Sequence, residues 1–267
     1  MRKIFSRIFD HERELENSIR NSNVRVIWLL VAIIWVMFGT YAYNELLNRR
    51  TVVTEVLFLF ITILIIWKNK GLIKTFFYNP FKRVGAPYSI SNVLWIYPFS
   101  LLLISVIFLA IPQILGWTSS DPQNIEQISM TTGEYITNLL TLPLLVFEEE
   151  SLNVLIVIAI ARLICVRMKL GWSLLAVLLA ACFFGFLHVS AWGWESAISR
   201  MFIHIPFIYS IIYFRTAWIS MLAHFYQNAL TYTSIIYPDF PTLFVGYGLL
   251  ACLLIVVYRK WRMKVNT

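Results

Sequence analysis

Charged side chains are scarce in this chain. Asp, Glu, Lys and Arg make up 13% of its 267 residues, about half the share usual for a soluble domain. That scarcity excludes an ordinary water-soluble globule. Cysteine is scarcer still. Cys165, Cys182 and Cys252 are odd in number, form no C-x-x-C pair and all lie in apolar runs, so they are read as packing residues. The zinc-protease motif H-E-x-x-H is absent, as are internal repeats, low-complexity segments and any sign of a second domain. Met1–Arg25 is too charged for a cleavable signal peptide, and a first apolar span follows it directly.

What remains is hydrophobic: 59% of the chain, with 10 Trp, 13 Tyr and 20 Phe. Many of these aromatic residues sit near the ends of apolar runs, where an interfacial belt is expected. The composition is that of a protein with most of its length in a bilayer. The net charge of +8 is read as Lys and Arg marking cytoplasmic loops rather than as a nucleic-acid surface.

The chain divides into a cytoplasmic N-terminal arm (1–25), a transmembrane domain (26–260) and a cytoplasmic tail (261–267). In the arm, Ile4, Phe5, Ile8 and Phe9 recur at helical spacing, so a surface-lying helix and a solvated arm are both open readings. Eight spans are expected, near Val26–Leu46, Val52–Trp67, Val93–Leu115, Tyr135–Cys165, Trp172–Val189, Ile198–Phe214, Trp218–Ile236 and Leu243–Tyr258. With both termini inside, the arm, Lys68–Arg83, Arg162–Lys169, Arg215 and Arg259–Lys264 fall on one side. Arg49, Arg50 and Arg200 are the exceptions. The expected architecture is thus an all-α, polytopic transmembrane bundle, N-in and C-in, in a multi-pass membrane protein.

Few polar groups remain inside the spans. Glu148, Glu149, Glu150 and Asn153 lie in the fourth, His188 ends the fifth, His204 is in the sixth, and His224, Gln227 and Asn228 are in the seventh. An ionised carboxylate near the bilayer midplane costs roughly 2.5–3.5 kcal/mol on insertion scales, so such residues normally face a bundle interior or a water-filled cavity. Successive helical residues point about 100° apart, so the three glutamates cannot share one target. Glu149 and Glu150 lie four and three residues before Asn153, on the face that stays polar one turn on, while Glu148 points elsewhere. His224 and Asn228 share a face at i,i+4, as do Phe184 and His188.

A carboxylate beside an imidazole in a low-dielectric pocket can hold a water and take its proton. A second histidine and an amide can donate to an oxyanion. That set describes a hydrolase with neither a serine nor a cysteine nucleophile, and with no cofactor. Two histidines and a carboxylate also form a zinc set, which stays open as the minority reading. His204, close to Pro206, is expected to satisfy backbone freed by the proline. Trp192 and Trp194 are expected in the aromatic belt, and Glu195 and Arg200 as a loop pair.

These residues resemble the CPBP family, the CAAX-protease and bacteriocin-processing (Abi) glutamate intramembrane proteases. Its pattern is a Glu-Glu pair in one span, FxxxH in the next, and HxxxN or HxxxD two spans later. Here the matching residues are Glu149-Glu150 (or Glu148-Glu149), Phe184 to His188, and His224 to Asn228, within about Leu139–Ala229. Arg215-Thr216, just before the last motif, also looks like the family's Arg-Thr. The resemblance implies that Glu149 and His188 activate water, that His224 and Asn228 stabilise the tetrahedral intermediate, and that Glu150 braces Glu149. It also implies a lipidated, membrane-spanning or membrane-associated protein or peptide substrate, from prenylated CAAX proteins to bacteriocin precursors, with roles in bacteriocin processing or self-immunity. The chain departs from the fuller motif EExxxR, whose arginine position is Val154 here, or Asn153 in the other register.

Two other functions fit the same polar core: a non-catalytic membrane scaffold, and a transporter with a proton-coupling carboxylate cluster. The lack of a repeat counts against the transporter. Geometry also sets a condition. Counting helical rise, Glu149 lies roughly 20 Å below the outer edge of its span, with His188 close to that edge and His224 nearer the cytoplasmic side. A bend at Pro143, a tilt, or different span ends must close that gap.

Overall fold

Long apolar segments must satisfy their own backbone donors and acceptors, and the helix does this within one segment. The computed structural model describes residues 92–119, 129–165 and 171–265, with Glu16, Ile19, Phe60, Ile63, Leu64, Trp67, Lys68, Phe76, Phe77 and Met168 as isolated positions. Apart from those positions, the N-terminal arm and the first two expected spans lie outside the described residues. Among the described residues the regular structure is entirely helical, with six α-helices.

A π-helical turn, Asn92–Ile96, leads into α1 (Tyr97–Ile114). Pro98 sits in the first turn of α1, where its missing N–H has no intrahelical partner to lose. Helix α2 (Thr132–Cys165) runs for 34 residues through Pro143. It starts earlier than the expected Tyr135 because Thr131 and Glu134 form a capping box: the Thr131 N–H and hydroxyl both donate to Glu134 Oε2 at 2.8 Å, and the Glu134 N–H returns to Thr131 Oγ1 at 3.3 Å.

Helix α3 (Trp172–Leu187) is short, at 16 residues, and α4 (Val189–Phe214) follows it across His188 alone. Helix α4 begins nine residues before the expected Ile198. Its early turns are broken at Gly193, whose φ of 76° and ψ of 177° interrupt the helix. That combination is open essentially only to glycine. Helix α5 (Trp218–Ile236) matches the expected seventh span, and α6 (Phe240–Val265) extends the eighth at both ends.

Helix α2 packs on α3 and α5, α4 packs on α3 and α1, and α5 touches α1, α2, α4 and α6. The Val154–Ala159 segment of α2 is buried on every side, as expected of a helix that is apolar all round. That segment clusters with Ala176, Val177, Ala180 and Ala181 of α3 and Ile208, Ile211 and Ile212 of α4. Gly185 seals the α3–α4 contact: a Cβ there would stand 2.6 Å from the Ala197 carbonyl oxygen and 2.8 Å from the Met201 Cβ.

The outer surface is apolar. Ile107, Ile114, Tyr247, Leu253 and Leu254 are exposed, a pattern that suits lipid rather than water. Three helical stretches, Asn92–Ile114, Trp192–Phe214 and Leu243–Arg262, are long and apolar enough to cross a membrane, and Trp172–Leu187 is a shorter apolar helix. The three cysteines are free thiols. Cys165 is in the core, Cys252 is half-buried and Cys182 is exposed.

Candidate active site

Glu150 is fully buried, and α2 and α5 between them supply its partners. Asn153 Nδ2, one turn along α2, donates to Glu150 Oε1 at 3.2 Å. Ser220 of α5 donates its hydroxyl to Oε2. Nδ1 of His224, one turn further along α5, stands 2.8 Å from Oε1. With Glu150 ionised, all three partners donate to it, and charge-assisted bonds of this kind are among the strong ones. This is how a carboxylate is tolerated at zero exposure, since burying it unpartnered would be prohibitive.

Glu149 is the open member of the pair. Its side chain is 21% exposed, and its Oε2 lies 3.4 Å from Nε2 of His224, itself 1% exposed. One imidazole therefore stands between two carboxylates, with Nδ1 on Glu150 and Nε2 towards Glu149. The Nε2 contact is longer than an ordinary hydrogen bond. Glu148, like Glu149, is half-buried.

His188 sits at the α3–α4 junction. Its Nδ1 donates to the Phe184 carbonyl at 2.8 Å, which leaves Nε2 as the free nitrogen of the neutral ring. Phe184 stacks between two imidazoles, with its centroid 4.6 Å from that of His188 and 4.0 Å from that of His204. The His204 ring is in turn 5.0 Å from the His224 ring, edge-on.

The vertical gap between the sequence motifs closes without a break at Pro143. From Glu149 to Cys165 helix α2 rises about 24 Å, and from Trp172 to His188 the chain rises about 24 Å again. Because α2 and α3 pack together across the short 166–171 link, α3 returns His188 to the level of Glu149. Towards Thr132, α2 continues about 26 Å beyond Glu149, past the end of α3.

Two expectations are corrected. His204 does bond to backbone, but to the Arg200 carbonyl at 2.9 Å, whereas Pro206 frees the carbonyl of Phe202. A helical side chain leans back over residue i−4, so the 204 ring reaches 200 and not 202. Glu195 and Arg200 lie within α4 rather than in a loop. There Glu195 Oε2 accepts the Ser119 N–H at 2.9 Å, and the Arg200 guanidinium lies 5.7 Å from the Trp192 ring centre.

The structure thus brings Glu149, Glu150 and His224 into contact, with His188 behind the Phe184 ring. Asn228 is half-buried one turn beyond His224 on α5. Two members of the cluster escaped the sequence reading. Ser220 precedes His224 by four residues, as His224 precedes Asn228, so a Ser-x-x-x-His-x-x-x-Asn ladder on one helix face was the available signal. His204 was visible, but the nearby proline drew it into a structural role. The chain matches no protein-family model, no curated protein and no solved structure.

Proposed function

We propose that this chain is an intramembrane endopeptidase that hydrolyses a peptide bond with water activated by glutamate and histidine. The observation that carries the reading is the division of labour between adjacent carboxylates: Glu150 is buried and held by Asn153, Ser220 and His224, while Glu149 is partly open beside the same imidazole. A structural clamp needs only the first. Glu149, with His188 at the nearby α3–α4 junction, takes a proton from water. The water oxygen then attacks the scissile carbonyl. When His224 carries both protons, Nδ1–H holds Glu150 and Nε2–H donates to the developing oxyanion, with Asn228 as a second donor. The proton is passed to the leaving amine. In this reading Asn153 and Ser220 supply the bracing that an EExxxR arginine gives in the family the motifs resemble.

The proposal places the site within a multi-pass bundle of eight spans, N-in and C-in, in a bacterial plasma membrane. The three apolar helices long enough to cross and the exposed apolar surface support the membrane setting. The substrate class is a lipidated or membrane-associated protein or peptide, prenylated or bacteriocin-like, whose scissile bond reaches the site from the bilayer. The buried Glu150 cluster also favours a second reading, a non-catalytic scaffold whose polar core clamps α2 to α5.

One experiment separates them. Wild type, Glu149→Gln and His188→Ala are purified in detergent and incubated with a panel of prenylated and leader-bearing membrane peptides, and cleavage is read by mass spectrometry. The protease reading requires cleavage by wild type and its loss in both variants at unchanged thermal stability. Cleavage that survives in both variants sinks it.

A further inference from the structure

We infer that Glu150, His204 and His224 form a binding site for a divalent metal ion of the zinc class, joining α2, α4 and α5. Each of the three offers one ligand atom, and these atoms all lie within 4.8 Å of one another. Ligands around a tetrahedral zinc stand about 3.3 Å apart at normal bond lengths, so modest side-chain rotations complete the set. All three are buried: Glu150 to 0% exposure, His204 and His224 to 1% each.

His204 is the residue that points to a ligand. Its Nδ1 donates to the Arg200 carbonyl at 2.9 Å, so its Nε2 bears the lone pair. That Nε2 is fully buried and has no hydrogen-bond partner among the described residues. A buried polar atom left unpaired is destabilising. A ring with one nitrogen tied to a backbone carbonyl and the other free is the arrangement of a metal-ligating histidine, with tautomer and orientation both fixed. Phe184 and Phe207 wall the ring, at 4.0 and 5.4 Å between centroids, and keep competing water out. The partly exposed Glu149, against the His224 ring, marks the route by which an ion enters.

The site shares Glu150 and His224 with the proposed hydrolytic centre, but it does not depend on hydrolysis. An ion there draws His224 from Glu149 towards His204 and ties three helices together, which stabilises the folded state in proportion to occupancy.

The test uses full-length protein in detergent, stripped with a chelator and dialysed. Cobalt(II) is titrated while its visible d–d absorption is followed, and zinc(II) is titrated while the melting temperature is followed. One cobalt per chain and a zinc-dependent rise in melting temperature are expected. Both are lost in His204→Phe, which keeps a ring between Phe184 and Phe207. Both are kept in His11→Ala, which removes the one histidine of the N-terminal arm, and in Glu149→Gln, which removes the proposed base. The proposal is overturned if wild type shows neither signal, or if His204→Phe retains them. Because Glu149→Gln is expected to bind metal without cleaving, failure of the metal site and failure of the protease reading give different results.

Discussion

Ser220 and His224 stand one turn apart on α5 and both reach the same carboxyl group, Glu150 of α2. The pair fixes the axial register of two helices that are 70 residues apart in sequence, and it does so inside an apolar core. Its consequences for stability and for activity are separable.

Ser220→Ala leaves Glu150 Oε2 buried without that donor. Removing one partner of a buried hydrogen bond costs about 1–3 kcal/mol, and more for a charged group. The variant is expected to melt lower than wild type in detergent. A double-mutant cycle with Asn153→Ala should show coupling of about 0.5–3 kcal/mol, because both side chains serve one carboxylate. Strict additivity would mean that Glu150 is not their shared partner.

Glu149→Gln and Glu150→Gln are predicted to differ in kind. The first side chain is partly exposed, so its replacement should leave the melting temperature near wild type while cutting turnover by about 100- to 10,000-fold, the usual range for a lost general base. The second replaces a buried acceptor with an amide whose NH2 must face a donor. It should lower stability first, with activity falling as a consequence. Matched melting and cleavage measurements on the two variants check the contrast.

Gly185→Ala should push α3 from α4. The new methyl group would meet the Ala197 carbonyl oxygen at 2.6 Å, a backbone atom that cannot rotate away. Overpacking of this kind costs about 1–3 kcal/mol. His188, three residues on, moves with the end of α3, so the turnover of the variant should fall at temperatures where it is still folded. A melt paired with an assay well below the transition separates the two effects.

Gly193→Ala and Gly246→Ala provide a test of backbone conformation alone. A Cβ at either position meets nothing within 4 Å. Gly193 has a φ of 76°, so alanine there should cost about 1–3 kcal/mol. Gly246 lies in the helical interior of α6, where alanine should gain about 0.8–1 kcal/mol. Opposite shifts in melting temperature are expected, and shifts of the same sign would contradict the Gly193 conformation.

Much of this arrangement can be read from residue order, and the misses have physical causes. Trp218–Ile236 was recoverable to the residue because a non-helical 215–217 corner and Pro238 bracket a single apolar run. The start of α2 was not, because the run begins at Tyr135 while the capping chemistry sits upstream of it, at Thr131 and Glu134. The start of α4 was missed for a related reason: Trp192, Gly193, Trp194 and Glu195 read as interface and loop, and a helix broken at one glycine leaves no periodic signal. Helical phase singled out Glu149 and Glu150 from three consecutive glutamates. It could not reveal that one would be sealed and the other left ajar, because that depends on Ser220, which comes from a different helix.

Helix α3 is only 16 residues long, which gives it a length of about 24 Å. A bilayer's hydrocarbon layer is about 30 Å thick. In the proposed membrane setting a segment that short does not carry both ends clear of the oil, so lipid would thin around it or headgroup water would dip to meet it. His188 stands at the C-terminal end of α3. The shortfall in one helix would then act as plumbing: it would lower the water table towards Glu149, where the proposed hydrolysis needs its second substrate.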